Sequence, residues 1–185
     1  QLFCSHYVML KKIVVIGPES TGKSVLCEQL ARHYHTIWCP EYAREYLIVL
    51  GRKYNYDDLL VIAQKQEELA EKYTADAAQK KYQSIFFDTD MHVMKVWSEV
   101  VFGKCHPWIL EHAATQQSDL YLLCKPDIPW IDDGVREYPE LQVRKDLYKI
   151  YKEILSKQRK PWIEIGGNYE HRFETAVVAV DAVLK

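Results

Sequence analysis

A glycine-flanked loop near the amino end constrains this chain more than any other feature. Residues 17–24 read Gly-Pro-Glu-Ser-Thr-Gly-Lys-Ser, which fits the G-x-x-x-x-G-K-[ST] pattern of a phosphate-binding loop. The apolar run at residues 13–16 predicts a buried strand before the loop, and residues 25–31 carry apolar side chains at helical spacing after it. Because strand, loop and helix follow one another in this order, the chain is predicted to fold as a parallel α/β protein of the P-loop NTPase type.

The residue types within the loop suit phosphate chemistry. Gly17 and Gly22 let backbone N–H groups turn toward phosphate oxygens, and the following helix adds the positive end of its dipole. Lys23 supplies a mobile positive charge for the terminal phosphates, and Ser24 offers a hydroxyl to Mg²⁺. The pattern therefore predicts binding of nucleotide phosphates with Mg²⁺ as cofactor, and the family resemblance described below implies ATP as the co-substrate. The predicted loop contacts are Gly17, Glu19, Ser20, Thr21, Gly22, Lys23, Ser24 and Val25.

Composition favours one domain that acts on a small molecule. The chain has 185 residues, 48% of them hydrophobic, so residues 9–185 are predicted to form a single domain after an extension at residues 1–8. A net charge of −2 provides no general attraction to nucleic acid or an anionic membrane. Five cysteines without a Cys-x-x-Cys pair favour reduced thiols and a cytoplasmic location.

Strand and helix patterns alternate along the rest of the chain. A cap at Asp57 or Asp58 is predicted to begin a long helix, and Gly51 to end the helix before it. Five buried strands separated by helices predict a parallel five-stranded sheet with helices on both faces, as in nucleoside and nucleotide kinases. The predicted strands after the first are residues 36–39, 85–87, 120–124 and 162–165, and the predicted helices include 41–50, 93–102, 108–117 and 141–155.

Two aspartates follow the strand predicted at residues 85–87. Asp88 stands where P-loop proteins place the carboxylate that holds Mg²⁺, although it could also cap the next helix. Asp90 precedes that helix directly, so it is either its N-cap or a ligand for a hydroxyl of the phosphate acceptor. The metal site predicted from the sequence therefore consists of Ser24 and Asp88.

Glu41 and Arg44 follow the second strand, beside the expected cleft. A carboxylate at Glu41 could accept the proton of an attacking hydroxyl, and Arg44 could bind a phosphate or another anionic group. The alternative for Glu41 is a glutamate in the first helical turn, stabilised by the helix dipole.

The stretch at residues 126–144, rich in Pro, Asp and Gly, is predicted to form a mobile lid. Arg136 and Arg144 could move over the transferring phosphate, and lid closure would exclude water from it. Trp130 is either a stacking platform for a flat ring or ordinary packing. The other predicted acceptor contacts here are Asp127 and Asp133.

Gly166-Gly167-Asn168 follows the last predicted strand. Glycines allow close approach of the backbone to a flat ring, so Gly167 and Asn168 are predicted to lie against adenine, although they could also merely end the strand.

Taken in order, these motifs resemble the ribosylnicotinamide kinase domain of the NadR family, over nearly the whole chain from Met9 onward. The resemblance implies ATP-dependent phosphorylation of the ribose 5′-hydroxyl of nicotinamide riboside, giving nicotinamide mononucleotide. No His-x-Gly-His motif occurs, so the adenylyl transfer of full-length NadR is not expected. The matching segments are residues 17–24, Glu41-Tyr42-Ala43-Arg44-Glu45-Tyr46, Asp88-Thr89-Asp90, Asp127-Ile128-Pro129-Trp130 and Asp133-Gly134-Val135-Arg136.

Two alternatives stay open at this stage. The acceptor could be another nucleoside, or the chain could be a regulatory P-loop ATPase that acts on a protein partner. A GTPase switch is disfavoured because Cys124-Lys125-Pro126-Asp127 lacks the asparagine of the guanine-reading motif.

Overall fold

A single parallel sheet organises residues 9–185, the part of the chain that this computed structural model describes. Its five strands are β1 (Lys11–Ile16), β2 (Trp38–Cys39), β3 (Ser84–Asp88), β4 (Leu120–Cys124) and β5 (Trp162–Ile165). Their order across the sheet is β2-β3-β1-β4-β5, with every neighbouring pair parallel. The strand that leads into the phosphate-binding loop is therefore central, and the ends of β1, β3 and β4 meet at one edge.

Seven helices connect and cover these strands within the described residues. They are α1 (Lys23–His33), α2 (Tyr42–Leu50), α3 (Tyr56–Gln79), α4 (Met91–Phe102), α5 (Pro107–Thr115), α6 (Leu141–Lys157) and α7 (Tyr169–Leu184). Helices α1 and α7 pack on one face of the sheet, and α3 and α6 pack on the other. Helices α2, α3, α4 and α5 share a third apolar cluster beside the sheet.

Burial explains why the strand predictions succeed. Strands β3 and β4 are buried at every position, and a strand covered on both faces must be a continuous apolar run rather than an alternating one. The predicted five-stranded parallel sheet with helices on both faces is confirmed.

Apart from shifts of one or two residues at element ends, two boundaries differ from the prediction. Asn55, not Asp57 or Asp58, caps α3: its side chain accepts from the backbone N–H of Asp58, and the Asp58 side chain accepts from the backbone N–H of Asn55. The lid predicted at residues 126–144 overlaps the start of α6, which begins at Leu141 and includes Arg144. The irregular connection is residues 126–140, named the β4–α6 segment below. The predicted extension at residues 1–8 lies outside the described residues.

Among the helices of residues 9–185, none combines the length and the apolar character that a bilayer crossing requires.

Candidate active site

A cavity of about 490 Å³ opens where β1 ends, and the phosphate-binding loop forms its floor. Every residue from Gly17 to Val25 lines it. Helices α2, α4 and α6 form the opposite wall, and the β4–α6 segment covers part of the opening. Ligands of parallel α/β proteins bind at this carboxyl edge of the sheet, so the cavity lies where the topology expects it.

The backbone of the loop requires glycine at both ends. Gly17 has φ 145°, and a Cβ there would lie 2.7 Å from the carbonyl oxygen of Cys124 on the neighbouring strand. Gly22 has φ 78° and is the N-cap of α1, so the first amides of that helix face the cavity. The Lys23 ammonium donates to the carbonyl of Pro18 at 2.9 Å, which holds it over the loop. The arrangement can bind the phosphates of a nucleotide.

Ser24 and Asp88 meet beneath the loop because β1 and β3 are adjacent. The Ser24 hydroxyl donates to Asp88 Oδ2 at 2.5 Å, while Asp88 Oδ1 is buried with no hydrogen-bond partner among the described residues. Burial raises the pKa of Asp88, and the positive charge of Lys23 opposes this effect. One carboxylate and one hydroxyl suit Mg²⁺, which takes few protein ligands when phosphates and water complete its shell. The donor set therefore fits the predicted metal.

Glu41 lines the cavity without serving as a helix cap. It is the N-cap residue of α2 by position, but its side chain makes no capping hydrogen bond. Burial raises the pKa of its carboxyl group, and the nearby charge of Asp88 raises it further. A cavity-lining carboxylate that makes no capping hydrogen bond and has a raised pKa is the kind of group that can accept a proton from a bound hydroxyl.

Arg44, Asp133 and Arg136 form an ion-pair cluster at the cavity wall. The Arg44 guanidinium donates to Asp133 Oδ2, and Arg136 Nε lies 3.1 Å from the same oxygen. Burial alone would raise the pKa of Asp133, but the hydrogen bond from Arg44 and the charge of Arg136 hold it below its ordinary value. All three predicted residues line the cavity, with the carboxylate joined to two arginines.

Two predicted acceptor contacts lie outside the cavity lining. Asp90 caps α4, accepts from the backbone of His92 at 2.9 Å and pairs with the His92 ring, beside a separate cavity of about 360 Å³. Trp130 donates its indole N–H to Glu19 at 3.0 Å. Neither Asp90 nor Trp130 lines the cavity in this structure, so their contact with the acceptor stays a prediction.

The remaining predicted site residues outside the cavity lining lie in or beside α6 and α7. Asp127 pairs with Arg172 and accepts from the backbone of Gly167 at 2.8 Å, and Asn168 caps α7. Arg144 is only 4% exposed inside α6, and its Nε and Nη1 are buried with no hydrogen-bond partner among the described residues. None of Asp127, Arg144, Gly167 and Asn168 lines the cavity, so their roles at the ligand stay predictions.

Four aromatic residues that sequence reasoning missed line the cavity: Trp97, Tyr138, Tyr151 and Tyr169. Trp97 stands on α4 with Val93, Val96 and Val100, and its indole N–H donates to Tyr54 at 2.9 Å. The apolar residues of this stripe have the spacing of a helix that packs against a core, so the sequence does not show that they line a cavity. Tyr169 is 45% exposed next to the loop, and a Cβ at Gly22 would lie 3.3 Å from its ring. The sequence feature that could have identified Tyr169 is its position directly after Gly-Gly-Asn.

Comparison with known proteins adds family and fold to this geometry. The family model described as AAA domain (AAA_28) matches residues 12–172. The Trifunctional NAD biosynthesis/regulator protein NadR of Escherichia coli is 25% identical over 180 residues, covering 92% of this chain and 42% of that protein. The same-named protein of Salmonella typhimurium is 25% identical over 184 residues, covering 95% and 43%. The chain thus spans less than half the length of these relatives.

Solved structures agree with the sequence comparison. A crystal structure of NadR protein in complex with NR superposes with a TM-score of 0.80 at 25% identity, covering 94% of this chain and 51% of that one. A NadR structure in complex with NAD and AMP-PNP gives a TM-score of 0.77 at 24% identity, covering 94% and 49%, and shows the fold alone. The resemblance to the NadR family that the motifs predict is confirmed.

Proposed function

Because this chain belongs to the AAA domain family (AAA_28), whose phosphate-binding loop it carries intact, we propose that it is an ATP-dependent kinase for a nucleoside. We further propose nicotinamide riboside as the acceptor and its 5′-hydroxyl as the phosphorylated group. One observation carries the proposal: the Glu41 carboxylate, which makes no capping hydrogen bond with the described residues, lines the same cavity as the phosphate-binding loop. The part of the cavity lined by Val93, Val96, Trp97 and Val100 of α4 is apolar and is named the acceptor chamber below. A pure ATPase needs the loop but does not need such a chamber.

The loop half of the cavity suits ATP. The amides at the start of α1 and the Lys23 ammonium would hold the β- and γ-phosphates, and Tyr169 beside Gly22 would contact the adenine or ribose. Mg²⁺, held by Ser24 and Asp88, would supply charge neutralisation between those phosphates.

The chamber half suits a nucleoside. Trp97 and the valines of α4 offer an apolar wall for a flat ring, and Glu41 would orient the attacking hydroxyl and accept its proton. The charge of Arg136 would stabilise the transferring phosphoryl group from the side of the β4–α6 segment. The crystal structure of NadR protein in complex with NR, whose fold this chain shares, supports the choice of acceptor.

A panel of acceptors tests the proposal. ATP consumption is measured with nicotinamide riboside, with ordinary nucleosides and without acceptor, and the phosphorylated product is identified by mass. We expect strong, selective stimulation by nicotinamide riboside and none with the Lys23→Ala variant. Stimulation by a different nucleoside would replace the acceptor but keep the kinase.

The alternative is a regulatory ATPase acting on a protein partner, which the description of the matching family as AAA domain favours. Acceptor-independent ATP hydrolysis, with no nucleoside increasing it, would replace the kinase with this alternative. That the chain works in the cytoplasm, on small molecules and without nucleic acid or membrane, stays a prediction.

A further inference from the structure

Glu19 places a carboxylate inside a loop whose other features attract phosphate. A negative charge there opposes triphosphate binding, so its presence needs another explanation. Both oxygens of Glu19 point to the β4–α6 segment. Oε1 accepts from the Trp130 indole N–H at 3.0 Å and from the backbone N–H of Tyr138 at 2.6 Å, and Oε2 accepts from the backbone N–H of Glu137 at 3.0 Å.

Ser20 extends this connection. Its hydroxyl oxygen accepts from the backbone N–H of Ile131 at 3.1 Å and from the Arg136 guanidinium at 3.3 Å. Ser20 adopts φ 53°, a left-handed conformation that a non-glycine residue rarely takes. Two adjacent loop residues therefore bond to both limbs of the β4–α6 segment, at residues 130–131 and 136–138.

Among the described residues, the tip of the segment is held by its own turn and by the ion pair between Arg44 and Asp133. The amide of Gly134 donates to Asp132 at 2.9 Å, and those of Val135 and Arg136 donate to Asp133 at 3.2 and 3.1 Å. Tyr54 reaches Glu137 at 2.7 Å, and the ion pair from Arg44 is 42% exposed on the arginine side, which weakens it through solvent screening. Glu19 thus makes the largest set of charge-assisted bonds to the segment.

We propose that Glu19 is a positioning residue that holds the β4–α6 segment closed and couples this closure to triphosphate binding. In the closed state three N–H donors offset the charge of the carboxylate. In an open state the bare carboxylate would face the phosphates, so a triphosphate binds the closed state more tightly and shifts the population toward it. Closure carries Arg136 to the loop. The coupling to triphosphate rests on the proposed function, whereas the closure itself does not.

Hydrogen exchange on the chain without ligand tests the closure. In Glu19→Gln a single carbonyl oxygen replaces two acceptors, and the amide nitrogen of glutamine faces an N–H donor, so at least one limb loses its bonds. In Glu19→Ala all three bonds are lost. We expect the amides of Ile131, Glu137 and Tyr138 to exchange at least about tenfold faster in Glu19→Ala, with a smaller increase in Glu19→Gln.

The matched control is Asp132→Asn, which alters an exposed acid of the same segment that bonds only to Gly134. We expect no change at residues 131, 137 and 138 in that variant. Unchanged exchange at those three amides in Glu19→Ala, with β1 and β3 still protected, would overturn the proposal. If the Glu19 variants lose the protection of β1 and β3, the Trp130→Phe variant replaces them, because it removes one donor to Glu19 without changing the loop. We then expect faster hydrogen exchange at the amides of residues 131, 137 and 138. Unchanged exchange at these amides in Trp130→Phe would overturn the proposal.

A second arm tests the coupling with the probe Mg²⁺·AMP-PNP. We expect the nucleotide to slow exchange at residues 131, 137 and 138 of the wild-type chain several-fold more than in Glu19→Ala. Equal slowing in both overturns the coupling but leaves the closure standing. If the nucleotide binds neither protein, the proposed function fails, and the ligand-free exchange still decides whether Glu19 closes the segment.

Discussion

At the scale of single residues, the site combines charges that the fold leaves without structural partners. Glu41 makes no capping bond, and Asp88 Oδ1 has no partner among the described residues. Burial of a charge is unfavourable unless a partner offsets it, so such groups persist where a ligand or a reaction uses them. The negative charge of Asp88 adds to burial in raising the pKa of Glu41.

Substitution of Glu41 by glutamine separates chemistry from helix capping. We expect kcat to fall by about 10²–10³-fold, because the hydroxyl loses its proton acceptor, while the KM for ATP stays within about twofold. The melting temperature should not fall. Burial raises the pKa of Glu41, so ionisation of its carboxyl group destabilises the folded state as pH rises through that pKa. Glutamine cannot ionise and therefore avoids this loss.

The matched control is Glu45→Gln, which alters an exposed glutamate in the first turn of the same helix. Its kcat should equal that of the wild type. A lower melting temperature with unchanged kcat in Glu41→Gln would return Glu41 to the role of a helix-start residue.

Replacement of Trp97 tests the acceptor chamber. We expect Trp97→Phe to raise the KM for the acceptor about three- to tenfold with little change for ATP, since part of the flat wall and the indole bond to Tyr54 are lost. Steady-state kinetics with each substrate varied in turn provides the measurement. Trp108→Phe is the control, because Trp108 belongs to the same apolar cluster but does not line the cavity. Equal effects of the two variants would reduce Trp97 to packing.

At the scale of elements, one capping arrangement joins α2 to α3. Asp58 accepts from the backbone of Asn55 and from Tyr46 and Arg52, and the residue is only 5% exposed. The Arg52 guanidinium is the main cause that holds the pKa of Asp58 well below its ordinary value. Because α2 carries Glu41 and Arg44 at its start, this arrangement also fixes one wall of the site.

Asp58→Asn should therefore destabilise the fold in a pH-dependent manner. A carboxyl group with a lowered pKa in the folded state stabilises the protein above its unfolded pKa of about 4 and loses that contribution as pH falls. We expect a loss of about 1–2 kcal/mol near neutral pH, equivalent to roughly 3–6 °C in Tm, and a difference from wild type that shrinks below about pH 4. Thermal unfolding across pH, with exposed Asp57→Asn as control, measures it. A constant difference at all pH values would contradict the ionic explanation.

At the scale of the whole molecule, strand order decides which residues meet. Because β1 pairs with β3 on one side and β4 on the other, the loop after β1 lies beside both Asp88 and the β4–α6 segment. The apolar clusters on the two faces of the sheet share its strands, so the described residues are expected to unfold as one unit.

Removal of residues 1–8 should leave that unit intact. We expect residues 9–185 to unfold in one transition with the melting temperature of the full chain. Mg²⁺·AMP-PNP at about 100 times its Kd should raise Tm by roughly 5–10 °C. Lys23→Ala should melt at the same temperature without ligand but lose the ligand-dependent increase. Two separate transitions would contradict a single domain at residues 9–185.

Short-range patterns were sufficient for the sheet and the loop. The bounds of β4 and β5 agree with the prediction. β4 is buried at every position and is therefore a short apolar run ended by a polar residue, whereas β5 is partly buried and is ended by glycine. The N-cap of α3 was missed by two to three positions because asparagine and aspartate cap equally well and both stand at that helix start.

The sequence by itself therefore determined the parallel α/β fold and the phosphate-binding loop, since each follows from a motif and its immediate flanks. Ser24 and Asp88 were predicted as a metal site, and the adjacency of β1 and β3 brings them together. Tertiary structure alone decided that Trp97 rather than Trp130 lines the cavity, that Arg144 is locked in a helix, and that Glu19 bonds to Tyr138. Glu19 and Tyr138 lie 119 positions apart. Helical periodicity cannot distinguish a side chain facing a core from one facing a cavity, because both require the same apolar surface.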